Sequence, residues 1–375
     1  MKLKVLKSEF FRILQTVVGI VPARSTLPVL NNILIESENG KLLVTATDLD
    51  TTISTSTGKF MGEEPGQISV SARKVCDLVK ELPEEVILLS GGETSLKLSW
   101  QKGSASFPGM PPADFPKLPT AKFETKVVFP ALSLERAVRK SSYAAAVDQA
   151  RPVLSGVLFQ VFPTEVRLVA TDGHRLARSS FTGKFPNVVK NETVIPPKAL
   201  SYVTKLMGKE SKDITFSIAK NHVKFDVGES IVYSRVLEGP FPNYEQVIPK
   251  ETGKRLVVDR EELMAAIRKV AIFSDSVTHQ VKFALAKDVM TLSASTTDIG
   301  TAEEKLSASY AGDEMEIGYN AVYLLDMLGS MESREVNFGL NTPVTAAVLT
   351  PGEGKEGEDL LCLVMPLRLP EPSTV

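Results

Sequence analysis

The sequence is poor in the residues that make a protein reactive or covalently rigid: its 375 residues include two cysteines, three histidines and one tryptophan. Cys76 and Cys362 lie far apart, each within an apolar stretch. They read as buried free thiols, which suits a reducing, cytoplasmic setting. Three histidines without ligand spacing argue against a structural metal, and nothing calls for a cofactor. No run of about 18 apolar residues is available to cross a bilayer. The start, MKLKVLKSEFF, lacks the apolar core of a secretion signal. Strong charge bias is missing too: a net charge of -2 excludes a uniformly basic surface. It leaves room for one positive face balanced by acidity elsewhere. Walker A, nucleophile-elbow and H-E-x-x-H signatures are also absent. A G-x-G-x-x-G match at Gly352, Gly354 and Gly357 opens the strand-like DLLCLVM rather than a helix, so it reads as a charged hairpin loop.

What is present is repetition. LPVLNNILIE (27–36) overlays RPVLSGVLFQ (151–160) at an offset of 124, and the same offset carries TATD (45–48) onto VATD (169–172). STTD (295–298) takes the equivalent place in a third copy. ISVSARKVCDLVKEL (68–82), TVIPPKALSYVTKLM (193–207) and MEIGYNAVYLLDMLG (315–329) continue the match. Each copy closes on a proline-marked apolar stretch. The period of about 125 residues exceeds any solenoid unit, so each copy is a domain-sized body with its own core. Polar connectors place the borders at 1–125, 126–250 and 251–375.

Apolar residues at three- and four-residue spacing predict a first helix per copy over 8–21, 133–146 and 259–273. Each opens on Ser or Asp, read as an N-cap. A second helix begins at Ala72, Pro197 and Asn320. KLLVTATD, VRLVATD, VKFDVG, SLKLSW and REVNFGL alternate as half-buried strands do. The expected class is α+β, two helices on antiparallel sheet in each of three similar domains.

The helices carry a recurring basic mark. Arg12 matches Arg136, Arg139–Lys140 matches Arg268–Lys269, and Lys74 matches Lys198, where the third copy has Asn320. Recurrence in a slightly acidic chain points to a shared positive surface that neutralises phosphates without reading bases. Few aromatics accompany it, which favours duplex backbone over single strands. The copies diverge after the shared Thr-Asp: Leu49-Asp50, Gly173-His174-Arg175-Leu176, and Ile299-Gly300. Asp48, Asp172 and Asp298 read as turn residues whose carboxylates accept backbone N–H bonds. His174 by itself reads as a hydrogen-bonded structural histidine.

ATDGHRLA (170–177), the LPVLNNI start, the VMPLRL ending (364–369) and the threefold pattern resemble the bacterial DNA polymerase III beta subunit, the sliding-clamp family, over essentially the whole chain. The resemblance implies a non-catalytic processivity factor. It further implies a head-to-tail homodimer whose six domains close a ring around double-stranded DNA, helices inward. DNA-facing positions would be Arg12, Arg24, Arg73, Lys74, Arg136, Arg139, Lys140, Gln149, Lys198, Arg268 and Lys269. A peptide cleft would use Leu154, Thr171, Gly173, His174, Arg175, Leu176, Pro242, Val247, Val364, Met365, Pro366, Leu367 and Arg368. It would receive short linear motifs from the replicative polymerase, the clamp loader and repair proteins. At the dimer contact Phe107 would pack on Ile272 and Phe273, and Lys74 would approach Glu303 and Glu304. An internal core role for Ile272 and Phe273 is the alternative. Two departures stand out: Gln246, where some relatives have a basic residue, and a tail, Pro370 to Val375, expected to be disordered or to overhang the cleft. The competing readings are a non-encircling interaction scaffold and a hydrolase assembled from distant residues.

Overall fold

The computed structural model describes all residues except Glu93, Glu124, 149–150, 186–190, 209–211 and 370–375. Gln149 and the tail from Pro370 to Val375 therefore lie outside the described residues. Among the described residues six α-helices form, two per repeat: α1 (Lys7–Val18), α2 (Ala72–Glu81), α3 (Ala131–Ser141), α4 (Pro197–Leu206), α5 (Arg260–Ala271) and α6 (Ala321–Ser330). The apolar spacing explains them. In α1, Phe10, Ile13, Leu14 and Val17 are buried along one stripe; in α5, Leu263, Met264, Ala266, Ile267 and Val270 do the same. Each fully buried large side chain contributes about 1.5–3 kcal/mol.

Two of the three expected N-caps are displaced. Asp259 caps α5, its carboxylate accepting from the Glu261 and Glu262 N–H groups at 3.0 and 3.1 Å. Ser8 and Ser133 instead lie inside their helices, since α1 starts at Lys7 and α3 at Ala131. The free N–H of Ser8 is satisfied from far along the chain, donating to Glu84 Oε1 at 3.1 Å. Ser8, through its side chain first and then this N–H, holds the Glu84 carboxyl below its usual range. A local reading has no access to a cap supplied 76 residues away. Asn320 is the N-cap of α6 rather than its first residue.

The chain divides into two compact units: Met1–Ala131 with Lys198–Val236, and Leu132–Pro197 with Leu237–Val375. The division runs through the second repeat because sheets are shared across repeat borders. In the first unit a 13-stranded antiparallel sheet starts at Thr125–Pro130, passes through the strands of 213–235, and joins Thr51–Thr57. It continues through the first repeat to Phe60–Glu64. The joint pairs Thr51 with Ser234 and Thr55 with Ser230. In the second unit a nine-stranded sheet joins Arg175–Thr182 to Glu358–Val364, with Arg175 opposite Val364 and Phe181 opposite Glu358. A four-stranded sheet completes it, ending on Gly300–Ser307. That strand pairs on one side only, with Val289–Thr296. Strand Gly103–Met110 is also largely open on its second side, where Gly109 and Met110 alone meet Val70 and Ser69.

The glycine motif near the C-terminus is a hairpin loop between Ala347–Pro351 and Glu358–Val364, with Gly357 at φ +76°. Cys362 is buried, and burial pushes its thiol up to about 12. Cys76 is half-buried.

Candidate functional site

The divergent turn of the second repeat is built from its own side chains. Thr171 donates its hydroxyl to the Arg175 carbonyl at 2.6 Å and accepts from the Gly173 N–H at 3.1 Å. Asp172 Oδ1 accepts from the His174 and Arg175 N–H groups, both at 2.9 Å. Gly173 sits at φ +91°, a conformation that disfavours side chains. The expected carboxylate turn holds at Asp48 too, which accepts from Asp50 and Thr51 N–H groups at 3.1 and 2.7 Å. It does not hold in the third copy: among the described residues Asp298 accepts no such bond, and Ile299 donates to the Thr296 carbonyl. Gly300, at φ +113°, takes the bend one residue later.

Arg175 points inward and is only 9% exposed. Its guanidinium donates to Asp326 Oδ2 (2.6 Å), Asp172 Oδ2 (3.1 Å) and the Tyr143 carbonyl (2.9 Å), and lies over the Tyr323 and Tyr143 rings. Each of its three nitrogens is engaged and aromatic rings pack on it, so it positions the turn. Tyr143 itself is held far from ionising by burial, with its hydroxyl 3.2 Å from Cys362 Sγ. His174 is exposed, and its side chain has no hydrogen-bond partner among the described residues. The structural-histidine reading fails. Its carbonyl accepts the Met365 N–H at 2.8 Å, bringing the VMPLRL ending onto the turn. The ending is fixed further along, where the Leu367 N–H donates to Gly318 at 2.8 Å and Gln280 donates to the Arg368 carbonyl at 2.9 Å.

Beside the turn lies an apolar cluster of Leu158, Val169, Leu176, Val194, Tyr244 and Leu363. Half-buried side chains pack on it, among them Val153, Phe241, Ile248 and Ala346. The cluster thus gathers the chain segments that carry Leu154, Leu176, Pro242, Val247 and Val364. Not all of these present surface. Leu154, Leu176 and Val364 are buried floor, whereas Gly173, His174, Pro242, Val247, Met365 and Arg368 are exposed. Thr171, Pro366 and Leu367 are intermediate, and Gln246 is exposed. Below the floor the Tyr244 hydroxyl accepts from Arg167 at 2.8 Å and donates to Gln160 at 2.9 Å, so its buried oxygen is satisfied. Sequence reasoning missed Val153, Phe241, Ile248 and Ala346, and the Tyr323–Asp326 clamp on Arg175. Apolar residues beside already chosen positions were the available signal for the first group.

The basic positions fall into two classes. Arg12 pairs with Glu9 and Glu229 (2.6 and 2.7 Å), Arg136 with Glu358 (2.8 Å), and Lys198 with Asp48 (2.5 Å). Arg139 pairs with Glu332 and Lys269 with Glu304. Lys140 is 8% exposed with its amine on Glu358 at 3.1 Å, which removes it from any open surface. Arg24, Arg73, Lys74 and Arg268 are exposed without ion-pair partners among the described residues, although Arg73 donates to the Val21 carbonyl at 3.5 Å. At the expected dimer contact Phe107 and Phe273 are half-buried, Glu303 is exposed, and Ile272 is 68% exposed just past the end of α5. An internal core role for Ile272 is therefore excluded. Among the described residues no group of three or more His, Cys, Asp and Glu is placed to hold a metal. No helix is long and apolar enough to cross a membrane.

Residues 1–119, 129–243 and 245–368 match, in order, the N-terminal, central and C-terminal domains of the DNA polymerase III beta subunit. The beta sliding clamp of Pseudomonas aeruginosa is 31% identical over 360 residues, covering 95% of this chain and 96% of that protein. The beta sliding clamp of Escherichia coli K12 is 31% identical over 372 residues, 98% of this chain and 100% of that one. The crystal structure of the DNA polymerase III subunit beta from P. aeruginosa is similar with a TM-score of 0.93 at 29% identity, covering 98% of this chain and 100% of that chain. A sliding clamp from Bartonella birtlesii bound to griselimycin gives 0.92 at 31% identity, with the same coverage.

Proposed function

The chain belongs to the DNA polymerase III beta subunit family and is a DNA sliding clamp, a non-catalytic processivity subunit; on that premise we propose that two copies join head to tail around duplex DNA. The observation that carries this reading is a pair of open strand edges with a readable register. At the first internal joint Thr51, three residues past Asp48, stands opposite Ser234; at the second Arg175, three past Asp172, stands opposite Val364. The third turn is one residue longer, so counting along the ladder makes Gly300, opposite Thr296, the equivalent on the open edge Gly300–Ser307. Counting outward along the ladder from each repeat's first strand makes Phe107 the equivalent of Ser234 and Val364. Phe107 lies on the other open edge, Gly103–Met110. A second copy would thus pair its Phe107 with Gly300, and Ser106 with Thr301. Such a heterologous contact closes after two chains and covers edges that otherwise invite aggregation.

In this reading the borders near 125 and 250 delimit three clamp domains per chain. Arg24, Arg73, Lys74 and Arg268, with the exposed cations of α3, α4 and α5, form a weak phosphate-facing lining. A topological link needs no tight contact, so modest positive charge that slides is sufficient. The exposed Met365, Val247 and Pro242 over the buried Leu176 floor receive short apolar motifs of polymerase, loader and repair proteins. The work is done in the cytoplasm, where bacterial DNA is replicated.

The test is a double variant, Ser106→Cys with Thr301→Cys. Oxidation is expected to give a covalent dimer retained on circular DNA and released when the circle is cut. The one-residue slip, Ser106→Cys with Ala302→Cys, should not crosslink. Equal retention on linear and circular DNA would replace encirclement by simple electrostatic binding.

A further inference from the structure

The three first helices superimpose residue by residue. The N–H groups of Lys7, Ala131 and Arg260 donate to the carbonyls of Glu85, Lys212 and Arg334, all at 2.8 or 2.9 Å, each a helix start against the same neighbouring strand. From these starts Arg12, Arg136 and Ala265 are equivalent. The two arginines do the same thing. Arg12 reaches Glu229 at 2.7 Å, and Arg136 reaches Glu358 at 2.8 Å. Both carboxylates stand within one residue of the same place, the start of the last strand of the following repeat. Glu229 pairs opposite Ser56 by register, and Glu358 stands opposite Phe181. Lys140 adds a second cation on Glu358, and Arg178 ties the adjacent Asp359 at 2.8 Å. The charged residues first assigned to DNA are therefore used, at Arg12 and Arg136, to fasten one repeat to the next.

The third joint, the one between chains, lacks this fastening. Its helix position is Ala265, and the strand-start positions equivalent to Glu358 and Glu229 are Gln101 and Lys102. All three are exposed. An alanine cannot reach, and no carboxylate waits for it. We infer that the two joints inside each chain are clasped by an arginine–carboxylate pair and that the joint between chains is built without one. This rests on the head-to-tail pairing proposed above. Ladder bonds are common to all three seams, and the side-chain clasp is what differs.

The clasp can be installed. Gln101→Glu with Ala265→Arg reproduces the Arg136–Glu358 pair at the intermolecular seam, at two exposed positions where folding is not at stake. Sedimentation and subunit exchange on the wild type, both single variants and the double variant give the coupling between the two sites. The double variant is expected to dissociate less than the singles predict, by about 2- to 5-fold per seam, and to lose that gain in high salt. Additive singles in a protein that still crosslinks through Ser106→Cys and Thr301→Cys would overturn the inference alone. Failure of that crosslink in a sedimenting dimer would overturn the register itself, and the inference with it.

Discussion

The turns at 47–52 and 171–176 share one hydrogen-bond scheme and have opposite fates. In both, the threonine hydroxyl donates four residues ahead, to Thr51 or Arg175, and accepts from the residue two ahead. In both, one aspartate oxygen accepts the N–H groups two and three residues ahead. The second aspartate oxygen is where they part. Asp48 gives it to Lys198, brought from 150 residues away, while Asp172 gives it to Arg175 in its own turn. One exchange, Thr51 for Arg175, converts a plain strand connection into a clamp that also grips Tyr143 and Asp326. The lesson is that the frame is repeated for folding and the added arginine is what sets the second copy apart, at the turn proposed to dock partners.

The largest expected effect lies there. Arg175→Ala removes three charged hydrogen bonds and leaves Asp172 and the Tyr143 carbonyl poorly satisfied. A loss of about 2–3 kcal/mol in urea unfolding is expected. Asp326 is 40% exposed on its side chain, which keeps the cost below that of a wholly buried charge. Thr51→Ala should cost about 1 kcal/mol or less. Arg175→Lys should not restore peptide affinity, because an ammonium cannot match the planar fork between two carboxylates and a carbonyl. Equal costs at the two turns would erase the contrast.

Backbone strain separates the turns next. Gly173 at φ +91° corresponds to Leu49 at φ +80°, so the first turn forces a branched side chain into the left-handed region. Nothing lies within 4 Å of a Cβ built on Gly173, so the cost of Gly173→Ala is conformational alone, about 1 kcal/mol. Leu49→Gly should do the reverse and raise the melting temperature, by an amount reduced by the extra freedom glycine has when unfolded. A fall on Leu49→Gly would mean that its half-exposed side chain packs more usefully than its backbone strains.

How far these features were legible follows from how local they are. The repeats, the six helices, the alternating strands and the carboxylate turns at Asp48 and Asp172 follow from spacing within a few residues. The Ser8 and Ser133 caps failed because Glu84 supplies the N–H partner of Ser8 from a distant segment. Lys140 was read as open surface because its partner Glu358 lies 218 residues on. The cleft segments were named by resemblance, but the split between buried floor and exposed wall, and the inward turn of Arg175, depend on packing that periodicity does not carry. The third turn departed because Ile299 followed by Gly300 moves the positive φ one residue along.

The smallest effect sharpens the comparison most cleanly. Lys198→Met takes away the distant partner of Asp48 without touching the turn's own bonds. The lysine side chain is 54% exposed and the pair crosses solvent, so its net contribution is about 0–1 kcal/mol and is screened by salt. A melting curve in low salt should shift slightly, and the difference should vanish as ionic strength rises. The corresponding pair in the second turn is shielded, with Arg175 and Asp172 only 10% and 14% exposed, so its contribution should persist in salt. If the Lys198→Met deficit instead survived high salt, Asp48 would depend on its remote lysine as Asp172 depends on Arg175, and the two turns would differ in the origin of the cation rather than in its importance.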